Sequence, residues 1–397
     1  MRIGNSGFGL VLVACMSPAL AQTQLSLADA VEAAWGRGSQ STEVAGQVRR
    51  ARAGYTTAAA LWAAPPAVEL GTTRNRQYAT APRRETEIGL AVPLWLPGQR
   101  AARLGQAEAE VNAASATAEA ARLQVAEVVR EAAAEVALQR AELAATQAQT
   151  RELEMLARDV ESRVAAGDLA RADALAANAE RLAAVSAQAQ SGQRLQAAEL
   201  RWFALTGLKD VPELPADAIM PAQEHPALRA AIRNVEAARE RVNVAQTSRR
   251  DAPEVLLRAR QELASGEPNT HGVGVALRIP FGTADRNEPL MAAALSELEL
   301  AQATERELRL QLEAELATAQ LAQASARQQL ADESARASLL RERANLIEKS
   351  FKAGETALPD MLRAVTAATQ AQAAVARAQA ALAQATSRLQ QAQGIMP

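Results

Sequence analysis

The landmarks of this chain occur twice at one fixed distance, which limits it to folds built from two copies of a single unit. Pro66 and Pro253, Val68 and Val255, Leu70 and Leu257, and Leu90 and Leu277 are each separated by 187 residues (253 − 66 = 187). The same offset joins Pro93 to Pro280, Gly167 to Gly354, Asp173 to Asp360, and Leu175 to Leu362 (354 − 167 = 187). Ala-rich helices align with one another by chance, but prolines, glycines and strand positions in one register do not. The chain is therefore a tandem repeat, with a first unit at 22–208, a Pro-rich linker at 209–225 and a second unit at 226–397. Pro212, Pro215, Pro221 and Pro226 give the linker its extended character.

Each unit reads helix, two strands, very long helix, turn, helix. Residues 27–63 carry a helical pattern with a break at Gly36-Arg37-Gly38, and Pro65-Pro66 stop it. Val68, Leu70 and Thr72 then alternate with Glu69, Gly71 and Thr73, and Ile88, Leu90, Val92 and Leu94 with Glu87, Gly89 and Ala91. Such period-2 alternation describes strands with one apolar face. The second copy repeats it with Val255, Leu257 and Ala259, then Val273, Val275, Leu277 and Ile279; Leu256 interrupts the polar row. From Gly98 to Ala166 there is no proline and one internal glycine, Gly105, so a single helix on the order of 100 Å is expected. Its second copy is expected over 288–353, starting beside Pro289, and both copies stop at matched turns, Ala166-Gly167-Asp168 and Ala353-Gly354-Glu355. Returning helices over about 168–206 and 356–393 are little more than half as long. A returning helix and a leading helix (27–63 or 226–250) stacked end to end would match one long helix.

Composition narrows the function. Aromatic residues are only 3% of 397, too few for an ordinary enzyme core, and a net charge of −2 offers no basic footprint for nucleic acid. There is no nucleophile elbow, phosphate loop or His/Cys cluster, so neither an enzyme nor a cofactor or metal protein is expected. His225, in the linker, and His271, at a strand start, are read as surface residues.

The first residues read as an export signal. Arg2, the apolar run from Phe8 to Ala14, and Ala19-Leu20-Ala21 before Gln22 fit cleavage after residue 21. Leu12-Val13-Ala14-Cys15 also fits a lipobox, which would leave Cys15, the only cysteine, lipidated at the new N-terminus after removal of 1–14. No later run of about 18 apolar residues follows, so a membrane crossing would have to use strands. Trp62, Tyr78 and Trp95 flank those strands, as interface aromatics flank a membrane barrel.

Four strands cannot close a barrel, and open edges are not tolerated in lipid. Barrels start at about eight strands, so at least two chains must contribute; eight and twelve strands both close. Two rivals share the long helices. A periplasmic adaptor would need additional β-rich domains, and a pore-free coiled-coil protein would need no alternating strands.

Several ordered segments resemble the TolC family of outer-membrane efflux proteins over about residues 25–396. They are Leu25-Ser26-Leu27-Ala28-Asp29-Ala30-Val31, His225-Pro226-Ala227-Leu228-Arg229-Ala230-Ala231, Ile279-Pro280-Phe281-Gly282 leading to Asp285-Arg286-Asn287, and both Gly-x5-Asp-x-Leu turns. Gly167-Asp168-Leu169-Ala170-Arg171-Ala172-Asp173 and Trp202-Phe203-Ala204-Leu205-Thr206-Gly207 resemble the heavy-metal-efflux, CzcC-like branch most. The resemblance implies a mainly α chain with a small β part. Three copies would form a twelve-stranded barrel in the outer membrane of a Gram-negative bacterium and an α-helical barrel in the periplasm. It further implies a passive conduit docked on a periplasmic adaptor and an inner-membrane pump of the resistance-nodulation-division class, with divalent heavy-metal cations as cargo. Gly167, Asp168, Gly354 and Glu355 would lie at the periplasmic tip and touch the adaptor, or serve only as helix caps. Asp173, Asp360 and Arg363 fall where TolC carries an Asp-x-x-Asp constriction. Ala176 and Arg363 replace the second acid, which implies a half-strength ring or one bridged by Asp360–Arg363 pairs.

Overall fold

In a computed structural model the described residues are 25–75, 83–214, 224–264, 268–282 and 284–397. The leader with Cys15, Tyr78, and the linker prolines Pro215 and Pro221 lie outside them. Ser26 opens α1 (Leu27–Arg37) through a capping box with Asp29: Ser26 Oγ accepts from the Asp29 amide, and the Asp29 carboxylate accepts from the Ser26 amide, both at 3.1 Å. Gly38 is extended and separates α1 from α2 (Ser39–Ala58), at the last residue of the expected break. α2 stops before the expected residue 63, because groups from the next connection take the carbonyls that follow it. Trp95 Nε1 donates to Ala60 O (3.3 Å) and Leu61 O (3.0 Å), and Arg100 Nη2 to Ala59 O (3.0 Å).

The strands are β1 (Ala67–Asn75) and β2 (Arg83–Pro93) in the first unit, β3 (Glu254–Ala264) and β4 (Thr270–Arg278) in the second. They form one antiparallel sheet in the order β1-β2-β3-β4. The rest is helical: α3 (Gln99–Ala166), α4 (Arg171–Thr206), α5 (Pro226–Thr247), α6 (Ala284–Lys352) and α7 (Leu358–Ala392). The repeat survives in three dimensions, since α2 and α5, β1 and β3, β2 and β4, and α4 and α7 all start 187 residues apart (226 − 39 = 187; 358 − 171 = 187). The positions matching α1 fall at 214–224, wholly within the linker (27 + 187 = 214; 37 + 187 = 224).

α3 and α6 are unbroken over 68 and 69 residues, about 100 Å each. α6 begins at Ala284, ahead of the expected 288, and Pro289 lies inside it. The proline forfeits only its own bond back to residue 285. Asn287 holds that first turn by donating to Arg249 O at 2.9 Å, and Gln99 Nε2 donates to Ser248 Oγ at 3.2 Å, so both long helices start from the end of α5.

The helices pack side by side as a wall. α3 contacts α2 and α5 toward the sheet and α4 and α7 toward the far end, and α6 lies beyond α5 and α7. Stacked end to end, α1, α2 and α4 therefore cover one side of α3. A buried cluster seals their junction: Ala30, Val31 and Ala34 of α1, Ala126, Val129, Ala133 and Val136 of α3, and Ala198 and Trp202 of α4. Trp202 is fully buried, and its indole N–H donates to Asp210 O at 3.1 Å, anchoring the start of the linker. A second cluster at the far end joins all four hairpin helices, with Leu153 and Val160 against Phe351, Leu358 and Met361. Alanine fills most other contacts, which lets neighbouring helices approach closely. Among the described residues the single four-stranded sheet is all the β-structure present, which does not suit an adaptor's separate β-rich domains.

Candidate functional site

The tip turns are two copies of one motif. Gly167 (φ 88°) and Gly354 (φ 80°) adopt the left-handed conformation that closes a helix. Gly167 N–H donates to Val164 O (3.1 Å) and Asp168 N–H to Arg163 O (2.9 Å); Gly354 N–H donates to Phe351 O (3.0 Å) and Glu355 N–H to Ser350 O (3.0 Å). Gly167, Asp168, Gly354 and Glu355 are all exposed. Asp173 turns back to cap α4, accepting from the Ala170 amide at 3.2 Å. Its counterpart Asp360 instead pairs with Arg363, and both of those side chains are exposed. The acid of the first copy is thus engaged in a cap and that of the second in an ion pair.

A link that sequence reading missed ties the two turns together. The Arg163 guanidinium lies over the Phe351 ring at 4.9 Å, donates to Phe351 O at 3.4 Å and pairs with Asp159 at 3.1 Å. Arg163 and Phe351 are not equivalent positions of the repeat, so no internal comparison points to them.

At the other end, the sheet register places all the apolar rows on one face. Leu70 pairs with Ile88 and Ile88 with Ala259; Val68 pairs with Leu90 and Leu90 with Leu257; Leu257 pairs with Val275 and Val255 with Leu277. Among the described residues nothing covers this face: Leu70 is 77% exposed, Val273 89% and Val275 73%. The opposite face carries paired charges, with Arg258–Glu87 at 3.4 Å, Arg260–Glu85 at 3.1 Å, Arg278–Glu254 at 3.2 Å and Arg83–Glu262 at 3.3 Å. Leu256, the interruption in that row, is buried and sits opposite Ala91. Trp62, Ile279 and Phe281 are exposed where the sheet meets the helices. β1 and β4 each leave one edge unpaired.

The helical wall also ends in two unfinished surfaces. On α4, Leu175, Leu182 and Leu200 are exposed, and each lies two residues from a buried alanine (Ala177, Ala184 and Ala198). On α6, exposed Leu339 and Leu346 lie two residues from buried Ala337 and Ala344, and exposed Leu310 and Leu321 continue the row. Two residues are about 200° of helix, so each edge helix has a second apolar stripe opposite the packed one. The stripes match in height. Leu175, Leu182 and Leu200 lie 4, 11 and 29 residues from the tip end of α4 (175 − 171 = 4), and Leu346, Leu339 and Leu321 lie 6, 13 and 31 from that of α6 (352 − 346 = 6).

His271 is exposed, as expected, but His225 is not a free surface residue. It is half buried at the N-cap of α5, where Nδ1 accepts from the Ala227 amide at 3.2 Å. Burial pushes its pKa below the usual imidazole value, opposed by a hydrogen bond with the Gln391 backbone and by Glu315. No group of three or more His, Cys, Asp or Glu residues among the described residues is placed to hold a metal. No helix among them is long and apolar enough to cross a membrane.

Exposed apolar strand rows, paired charges behind them and a helical wall about 100 Å long suit a chain that contributes strands to a membrane barrel. Comparison with known proteins agrees. The outer membrane efflux protein family profile matches residues 221–395, the second repeat and the end of the linker. No curated protein sequence matches significantly. Among solved structures, a membrane protein from Pseudomonas aeruginosa superposes with a TM-score of 0.75 at 20% identity, over 93% of this chain and 90% of its own. The outer membrane protein VceC from Vibrio cholerae gives 0.73 at 18% identity, over 93% and 96%. CusC, whose structures concern folding and transmembrane channel formation, gives 0.74 at 16% identity, over 93% and 92%. The chain therefore has the TolC-family fold, and its architecture matches the outer-membrane and periplasmic topology of those channels.

Proposed function

We propose that this protein is the outer-membrane exit duct of a tripartite export system, a passive conduit formed by three copies of the chain. The observation that carries the reading is the four-stranded sheet, apolar on its uncovered face and open at both edges. Lipid tolerates such a sheet only within a closed barrel, so other copies must supply the missing strands. The leucine stripes of α4 and α6 favour the same closure, because one copy's α4 meets the next copy's α6 antiparallel with leucines at equal heights. Twelve strands and a helical cylinder result if three copies close the ring, as the family fold suggests.

The paired charges then line the barrel lumen, and the tip projects into the periplasm. Gly167, Asp168, Gly354 and Glu355 contact the adaptor there, and the pump beyond it is of the resistance-nodulation-division class. The Asp360–Arg363 pairs ring the constriction with little net charge. Divalent heavy-metal cations are the proposed cargo, on the likeness of residues 167–173 and 202–207 to the CzcC-like branch. The test is the mass of the detergent-extracted protein together with its conductance in a planar bilayer. A trimer that forms discrete channels supports the reading, whereas a soluble, non-conducting monomer overturns it. Loss of zinc, cobalt or cadmium tolerance in a strain lacking the protein checks the cargo separately.

A further inference from the structure

The two faces of the sheet treat their arginines differently. On the charged face Arg83, Arg258, Arg260 and Arg278 each meet a glutamate within 3.4 Å. On the apolar face, strand alternation from Leu70 and Ile88 leads through Thr72 and Thr86 to Arg74 and Arg84. Both arginines are exposed, and they stand directly opposite each other, because Arg74 pairs with Arg84 in the β1–β2 ladder. Cross-strand partners hold their Cβ atoms about 4.5–5.5 Å apart, a distance at which like charges repel. Nothing among the described residues offsets the pair. The strand residues that share this face are apolar apart from Thr72, Thr86, Gln261 and His271, none of them acidic, and no described carboxylate pairs with either arginine. The counterparts one repeat further on are Gln261 and His271, which also pair with each other (74 + 187 = 261; 84 + 187 = 271). The second copy thus keeps the pairing without the charge, so the sheet itself does not need two arginines there.

Depth supplies a partner. Arg84 lies ten residues from Leu94 (94 − 84 = 10), whose amide continues the ladder by donating to Pro253 O at 2.8 Å. At ~3.4 Å per residue and a strand tilt of ~40°, this span covers ~26 Å along a membrane normal, against an apolar band of ~25 Å on a membrane barrel. Exposed Trp62 and Phe281 mark the helical end of the band. Arg74 and Arg84 then fall at the opposite end, level with the headgroups of the leaflet that faces away from the helices. Phosphate is the anion of that layer, and its oxygens accept from two guanidinium forks at once. The Thr72 and Thr86 hydroxyls, one row nearer the bilayer centre, offer further donors.

We propose that Arg74 and Arg84 bind the phosphate group of an outer-leaflet lipid, one site per chain on the outside of the barrel. The inference rests on the barrel reading and adds a lipid partner to it. The test is native mass spectrometry of the intact protein in detergent with diphosphoryl lipid A, with the dephosphorylated lipid and inorganic phosphate as controls. Channel formation in a neutral bilayer is recorded alongside. One diphosphoryl lipid per chain, held at least tenfold tighter than the dephosphorylated form, is expected. The double variant Arg74→Gln/Arg84→Gln should lose at least fivefold in affinity, whereas Arg258→Gln on the charged face should keep it. Without lipid the double variant should unfold at or above the wild-type midpoint, since the repulsion is gone, and added lipid should raise only the wild-type midpoint. Where channels form, equal binding of the two lipids or unchanged affinity in the double variant would overturn this inference alone. Absence of channels would overturn the barrel reading beneath it. Inorganic phosphate bound as tightly as the lipid would reassign the site to the free anion and overturn the lipid assignment.

Discussion

At the residue scale, His225 makes the stability of the junction between α5 and α7 depend on pH. Its folded pKa lies below the unfolded value of about 6.5, so above that pH both states are neutral and nothing is lost. As pH falls below about 6.5 the unfolded chain takes up the proton first, and stability declines until the folded imidazole titrates as well. Protonation at Nδ1 also abolishes the cap on the Ala227 amide. Arg130, Arg388, Glu127, Glu131 and Glu315 line the same cavity as His225, and of these Glu315 moderates the effect. The unfolding midpoint should fall between pH 7.5 and pH 5, and His225→Asn, which caps without titrating in that range, should flatten the dependence. Gly394, which faces His225, has no room for a side chain. A Cβ there would stand 2.7 Å from Pro226 Cδ and 3.0 Å from His225 Cα, at a φ of +72°. Gly394→Ala should lower stability by about 1–3 kcal/mol in urea titrations.

At the element scale, the caps and the α1–α3–α4 junction hold long helices that have little core of their own. Gly167 and Gly354 have open space around them, so replacing either with alanine costs only the left-handed conformation, about 1–2 kcal/mol. The two costs should add unless the Arg163–Phe351 link couples the turns, which a double-mutant cycle reads directly. Trp202 is a different case. Its side chain fills the place where α1 meets α4, and Trp202→Ala should cost about 3–5 kcal/mol and release the linker to protease. If that variant unfolds at the wild-type midpoint, the junction is not what holds the stacked helices in line.

At the scale of the whole molecule, a single copy is an incomplete wall. Leu182 and Leu339, at matching heights on opposite edges, make the contact testable. Leu182→Arg or Leu339→Glu alone should shift the detergent-extracted protein toward single chains. The double variant should recover the assembly by pairing opposite charges across the contact. Recovery would fail if the two edges do not meet in that register. Val275→Arg on the sheet's apolar face should weaken insertion by about 2–4 kcal/mol near the bilayer midplane, measured by partitioning into vesicles.

Much of this was legible in the residues because local rules govern it. The 187-residue offset, the alternation of Leu70 and Val275 and the glycine stops at Gly167 and Gly354 depend only on period and backbone conformation. Boundaries were less legible: the end of α2 was set by Trp95 and Arg100 reaching its carbonyls, and α6 began ahead of Pro289 because Asn287 secured its first turn. His225 looked like a linker residue because nothing near it in sequence shows that the end of α7 closes over it. By itself, then, the amino-acid order determined the repeat, the element types and the apolar face that needs lipid. The tertiary structure alone decided the order of the strands and the Arg163–Phe351 link. Each of these joins residues far apart along the chain, and only packing brings such groups within a few ångströms of one another.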